Sequence, residues 1–276
     1  MKRQHLEVFD IHRSCYYTCR ERRKRVDVQR VILKAKVNQV FKKSRGAAGS
    51  RTIKSMLNEA GVEIGRYRVS RLMEEIGLVC KQPGSHACKR ATVERLDIPN
   101  ALDQQFDVDL PNQVWRGDIT YIRTGSRWSY LAVVLDLCTR RVVGRALSDR
   151  PDADLTIKAL DHACQQRGKP LAVLFHSDQG SQYSNLRYRQ RLWRYQLVQS
   201  MSRRGNRWDN APMERLFRSL QSEWIPATGY RSITEAGKDI GLYLIDCYNW
   251  HRLHSRNNGK APAVAEENLD LLSGIS

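Results

Sequence analysis

The chain has 276 residues, 41% of them hydrophobic, and a formal net charge of +18. That length holds one sizeable domain plus a smaller one, and the charge points to a polyanionic partner, most often nucleic acid. No run approaches the roughly 18 apolar residues of a membrane span, and the charged start Met1-Lys-Arg-Gln-His-Leu-Glu7 lacks the apolar stretch of a signal peptide. A cytoplasmic location is therefore expected. The seven cysteines are scattered. Cys15 and Cys19 have no matching downstream pair, and His5 and His12 complete no zinc spacing, so free thiols in a reducing compartment are expected.

The charge is concentrated at the front. Residues 1–100 carry 23 Lys and Arg against 10 Asp and Glu, an excess of 13, whereas 101–276 carry an excess of only 5. Residues 1–27 form a basic, weakly patterned segment with the run Arg22-Arg23-Lys24-Arg25. That run suits either phosphate contact or a solvated helix face.

Residues 28–80 read as helices. Val31, Ile32, Ala35, Val40 and Phe41 mark an apolar face on the first. Ser44-Arg-Gly-Ala-Ala-Gly-Ser50 interrupts the pattern. Ser50 is expected to cap a helix over 52–60, with Gly61 at its stop. A third helix over about 66–76 sets Arg66, Arg68 and Arg71 against an apolar side of Val69, Leu72, Met73 and Ile76. Helix, short turn and basic helix outline a helix-turn-helix, which can place the second element in a major groove. A plain helical subdomain with exposed arginines fits the same pattern. Residues 81–112, with Pro83-Gly84, Pro99-Asn100 and Pro111-Asn112, read as a linker.

From 113 the period changes. Strands are expected over 113–123, 128–138 and 141–148, with turns at Gly125-Ser126 and Thr139-Arg140. A helix at about 152–167, a strand at 171–177, a helix near 184–195 and a strand near 197–201 follow. Helices over about 210–225 and 233–249 come last. The fold class is thus α/β: a mixed five-stranded sheet flanked by helices over 113–276, of ribonuclease-H-like order, preceded by the α-helical helix-turn-helix domain.

Three carboxylates stand out on this order. Asp118 lies inside the β-branched run Val114-Trp-Arg-Gly-Asp-Ile-Thr-Tyr-Ile122. A buried charge there needs a partner or a metal. Asp178 ends the strand Leu171-Ala-Val-Leu-Phe-His-Ser-Asp178, at the carboxyl end where α/β sheets collect ligands. Helical geometry places Glu214. At about 100° per residue from Met213, Leu216, Phe217, Leu220 and Trp224 form one apolar stripe, and Glu214, Arg218, Gln221 and Ile225 form a line along its border. Glu223 falls on the opposite border and is a poor substitute. Such a triple suits a pair of Mg²⁺ or Mn²⁺ ions acting on a phosphodiester. Arg218 and Gln221 stand where groups can follow a DNA strand, or are plain surface residues. His176 shares the face of Asp178, as support or as a core histidine. His251 and His254 are a weak metal signal, and a helix-end DNA contact or a structural role suits them better.

Trp115-Arg-Gly-Asp-Ile-Thr-Tyr121, His176-Ser-Asp-Gln-Gly-Ser-Gln-Tyr183 and Ser202-Arg-Arg-Gly-Asn-Arg-Trp-Asp-Asn-Ala-Pro-Met-Glu214 resemble retroviral-integrase-like DDE transposases of bacterial insertion sequences, in particular the second-frame product of the insertion sequence three family. The resemblance covers nearly the whole chain. It implies Asp118, Asp178 and Glu214 as catalytic metal ligands. It also implies cleavage at terminal inverted repeats, a circular intermediate and integration into target DNA. The implied partners are DNA, an upstream-frame OrfA protein or fusion with it, and further copies of the chain on DNA, near the nucleoid. The family carries lysine seven residues after the glutamate, where this chain has Gln221, and Arg-Pro-His where this chain has Arg252-Leu253-His254. Two other readings remain open: a DNA-binding regulator that does not cut, and a nuclease of RNA–DNA hybrids.

Overall fold

A computed structural model describes residues 14–15, 17–18, 27–81, 98–103, 105–202 and 210–273. The basic run 22–25, Cys19 and Pro83-Gly84 lie outside them. The chain divides into two compact units, Met1–Lys81 and Gln82–Ser276.

In the first unit three helices, α1 (Val28–Lys43), α2 (Ser50–Glu59) and α3 (Arg66–Glu75), enclose a small core that includes Val37, Ile53, Leu57, Val69 and Leu72. Asp27 starts α1 by accepting the Arg30 N–H at 2.9 Å. The apolar face expected on α1 is corrected. Val31, Ile32 and Ala35 are exposed, whereas Val37 is buried with Leu33, Val40 and Phe41 packed against the core. Apolar residues lie all round this helix, so its inward side is not readable from spacing. The α2 start is corrected too: Gly49 occupies the cap position and Ser50 is already helical. Gly61, at φ +75°, ends α2 as expected, with the Val62 N–H returning to the Leu57 carbonyl at 2.8 Å.

The second unit is built on a five-stranded sheet in the order β3-β2-β1-β4-β5. Strands β1 (Val114–Thr124), β2 (Arg127–Asp136) and β3 (Val142–Ser148) form an antiparallel meander, and β4 (Leu174–Ser177) and β5 (Val198–Met201) add in parallel beyond β1. Both faces are covered. Leu131, Val133 and Leu135 join one core, and Ala132 and Val134 the other. This double burial explains why β2 reads as a continuous apolar run rather than an alternating one.

Helix α4 (Ala153–Gln166) covers β2 and β3 on one face, together with α5 (Ser181–Ser184) and α6 (Leu186–Arg194). The single helix expected near 184–195 is broken at Asn185, whose side chain caps α6 by accepting the Arg187 N–H at 2.9 Å. The other face is covered by α7 (Ala211–Ser219) and α8 (Ile233–Leu242), each of which widens into π-helical turns, Leu220–Trp224 and Tyr243–His251. The stripe Met213, Leu216, Phe217, Leu220 and Trp224 is buried throughout.

Two features of this unit differ from expectation. Within the expected linker 81–112, the described residues from 98 onward hold no helix or strand but pack onto the core through buried Ile98, Leu102 and Val108. A further helix, α9 (Pro262–Ser273), was not expected. It carries Glu266 into a buried network in which Arg167 and Thr139 donate to Glu266, while Asp136 accepts the N–H groups of Asn112 at 2.7 Å and Cys138 at 2.9 Å. Arg167 also reaches Asp136 at 3.4 Å.

Candidate active site

Asp118 sits in the middle of β1, on the face it shares with Arg116 and Thr120 by strand alternation. Gly117 between them permits a close approach: a Cβ there would stand 2.6 Å from Cζ of Phe175, so only glycine lets β1 and that ring meet. Parallel pairing sets Arg116 opposite His176 on β4. Asp178 follows β4 directly, and its carboxylate accepts the Gly180 N–H at 3.0 Å.

The two aspartates come close enough to feel each other's charge. The Asp118 carboxyl is pushed up to about 7, chiefly by desolvation and next by the charge of Asp178. Asn210, the Ile119 N–H and Arg116 oppose that rise. Asp178 is raised as well, chiefly by desolvation, with the Gly180 N–H and Arg116 opposing. Asp178 is open to solvent on one side.

Two residues that the sequence reading did not assign shape this pair. Asn210 donates to Asp118 at 2.9 Å and accepts from Nε of Arg116 at 3.2 Å. Arg116 itself is completely buried. Its position was readable in principle, since residues two apart on a strand share a face. Asn210 directly precedes Ala211-Pro212, a common arrangement at a helix start.

The third carboxylate is placed differently. Glu214 lies exposed in the first turn of α7, one turn beyond Asn210. Among the described residues no three His, Cys, Asp or Glu side chains form a complete metal-holding group. The structure thus brings Asp118 and Asp178 together and sets Glu214 on the adjoining helix. Glu223 is buried and ion-paired with Arg252, which removes it from consideration as a ligand.

The remaining candidates are also located. Arg218 is exposed, while Gln221 is half-buried and donates to the Thr120 hydroxyl at 2.8 Å. Arg66, Arg68 and Arg71 are all exposed along α3. His176 is fully buried, with Nδ1 at 2.8 Å from the Ser200 hydroxyl, and burial lowers it to about 3, so it is neutral. His251 is exposed beside Asp246.

An oxygen-only, electron-rich pair at the carboxyl end of β4 suits a hard divalent cation. The Asp118 carboxyl is raised chiefly by desolvation and next by the charge of Asp178, and a bound cation would favour the ionised form of both.

The fold and this site define an integrase-type core behind a helix-turn-helix-like domain. Models of the integrase core domain match residues 109–207 and 195–262, and one of an HTH-like domain matches 28–86. InsO of insertion sequence element IS911B from Escherichia coli K12 is 48% identical over 58% of this chain and 81% of its own length. Transposase InsF for insertion sequence IS3A, from the same organism, is 33% identical over 94% of this chain and 91% of its own length. The structure of the HTLV-2 integrase catalytic core domain in complex with magnesium aligns with 57% of this chain and 97% of that one, at 19% identity and a TM-score of 0.42. The chain belongs to the insertion-sequence transposases of the insertion sequence three family.

Proposed function

We propose that this transposase carries out metal-dependent cleavage and strand transfer at the ends of its element, with Asp118, Asp178 and Glu214 as the acting carboxylates. The observation that carries the reading is the Asp118–Asp178 pair, carried by adjacent parallel strands, with both carboxyls raised chiefly by desolvation and Asp118 next by the charge of Asp178. Asp118 and Asp178 would hold two Mg²⁺ or Mn²⁺ ions, with Glu214 reaching in from α7. Bound there, the ions would neutralise charge developing at phosphorus and lower the pKa of an attacking water or 3′-hydroxyl. Asn210 keeps the Asp118 carboxylate turned toward the site through its 2.9 Å bond. Arg116, below, offsets part of the negative charge before the metal arrives.

Residues 28–80 would act as the DNA-reading domain, with Arg66, Arg68 and Arg71 on phosphates or base edges, and 113–276 as the catalytic domain. Terminal inverted repeats and target DNA are the substrates, with the upstream-frame OrfA product and further copies of the chain as partners. No helix among the described residues is long and apolar enough to cross a membrane.

The test is a nicking and strand-joining assay on duplexes bearing the element's ends. Wild-type protein is expected to cut and join with Mg²⁺ or Mn²⁺ and not in EDTA, and Asp118→Asn to do neither. Specific binding without metal-dependent nicking would instead establish the non-cutting regulator.

A further inference from the structure

Along α7, lined by Ala211, Arg215 and Ser219, lies a cavity of about 550 Å³, within the roughly 300–1,000 Å³ range of small-ligand sites. Arg140, Arg215, Tyr248, Arg252, His254 and Arg256 line it. Four guanidiniums therefore face one space. Two have carboxylate partners: Arg252 pairs with Glu223 and Arg256 with Asp107, which is itself almost wholly exposed. Arg215 is exposed and makes no ion pair among the described residues.

Arg140 is the unusual member. It is 7% exposed, and its Nη2 donates to the Phe106 carbonyl at 3.2 Å, while Nη1 is buried with no hydrogen-bond partner among the described residues. Its backbone has φ +63°, a turn conformation that favours glycine or asparagine. Nδ1 of His254 is likewise buried and unpartnered. A buried cation lacking a partner is costly, and both groups line a cavity already rich in positive charge. Burial and the neighbouring arginines hold the Arg140 guanidinium down at about 10 and keep His254 neutral. Burial is the larger cause for both, and the neighbouring arginines add to it.

We infer that this cavity is a phosphate-binding site that takes a backbone phosphodiester of the DNA strand running past the carboxylates. Continuity along α7 argues for a strand rather than a free anion. Asn210 bonds Asp118, Ala211 lines the cavity, and Glu214 and Arg215 are consecutive. Successive phosphates on one duplex strand advance by about 3.4 Å, and α7 rises about 7 Å from Asn210 to Arg215, so a strand seated at the aspartates carries its next phosphates along the span of this helix. The assignment rests on the proposed action on DNA, but the site itself needs no metal.

The test measures binding of the full chain in EDTA, by fluorescence anisotropy of a labelled duplex bearing the element's end, across a salt series. Arg215→Gln is expected to weaken binding roughly threefold or more and to reduce the slope of log affinity against log salt by about one, the signature of one lost phosphate contact. Arg140→Gln is expected to do the same. If it fails to fold, the exposed Arg215 position carries the test alone. Unchanged affinity and slope in Arg215→Gln would overturn the site. So would Arg215-dependent binding of a deoxynucleoside monophosphate with none of duplex DNA. Metal-dependent nicking on the same duplex separates the two ideas. Arg215-dependent binding without nicking sinks only the catalytic reading, and nicking with Arg215-independent binding sinks only the cavity.

Discussion

Replacing Asp118 by asparagine should remove catalysis and yet stabilise the metal-free protein. The carboxyl is raised from 3.8 to about 7. At 1.36 kcal/mol per pH unit, that corresponds to about 4 kcal/mol if nothing relaxed or screened it. Asparagine carries no charge, so this cost disappears. It also accepts with one oxygen where the carboxylate uses two, for Ile119 and Asn210, which returns about 1 kcal/mol. With relaxation, a net gain of roughly 1–3 kcal/mol is expected, or about 3–8 °C in the melting of a unit this size. The sign with pH follows from the raised carboxyl. The folded state keeps a proton that the unfolded chain sheds, so wild-type stability falls as pH climbs from about 4 to about 7. The advantage of Asp118→Asn should therefore open across that interval and be complete by about pH 8. Thermal unfolding in EDTA at several pH values measures it. Added Mg²⁺ should then raise wild type more than the variant, because only the carboxylate pair gains a ligand. A variant that melts at or below wild type at pH 8 in EDTA, or an advantage independent of pH, would refute the reasoning.

Five other outcomes are expected. Gly117→Ala puts a Cβ 2.6 Å from the buried Phe175 ring and should cost about 1–3 kcal/mol, read as a lower denaturation midpoint. Arg167→Met leaves Asp136 and Glu266 buried with their main cationic partner gone, at about 3–5 kcal/mol by chemical denaturation. Glu214→Gln should abolish nicking while changing stability by under about 0.5 kcal/mol, as suits an exposed side chain. Glu223→Gln should instead lower stability, because Arg252 loses its partner. Gln221→Lys exchanges the Thr120 hydrogen bond for a positive charge, and should steepen the salt dependence of DNA binding by about one.

The second unit was legible in the sequence because its elements obey strong local rules. Apolar, β-branched runs bounded by turn residues marked β1 to β3, and the apolar stripe from Met213 to Trp224 fixed how α7 docks. What escaped were features set by tertiary partners. Arg116 stands in an apolar strand, where its charge is tolerated only because Asn210 and the aspartates surround it. The widening of α7 at Leu220–Trp224 has no signature in a reading that assumes 3.6 residues per turn. Helix α9 was missed, and its Glu266 points inward to an arginine 99 residues earlier, a pairing no local window contains. In the first unit α1 misled the reading because its apolar residues lie all round, so tertiary packing rather than spacing selects Val37.

These contacts bear on which glutamate completes the carboxylates. Two side chains tie the α7 segment to β1: Asn210 to Asp118 and Gln221 to Thr120, and the two acceptors share one face of the strand. Glu214 lies between those two ties, one turn from the first. It is exposed although the helix around it is anchored by a buried stripe. A helix held at both ends against the carboxylate-bearing face leaves a side chain between the ties free to turn toward that face. Glu223 has no such freedom, since its ion pair with Arg252 joins the π-helical turn to the segment that follows α8. The two acidic residues of this helix thus differ in kind, one held in a structural pair and the other left beside the site.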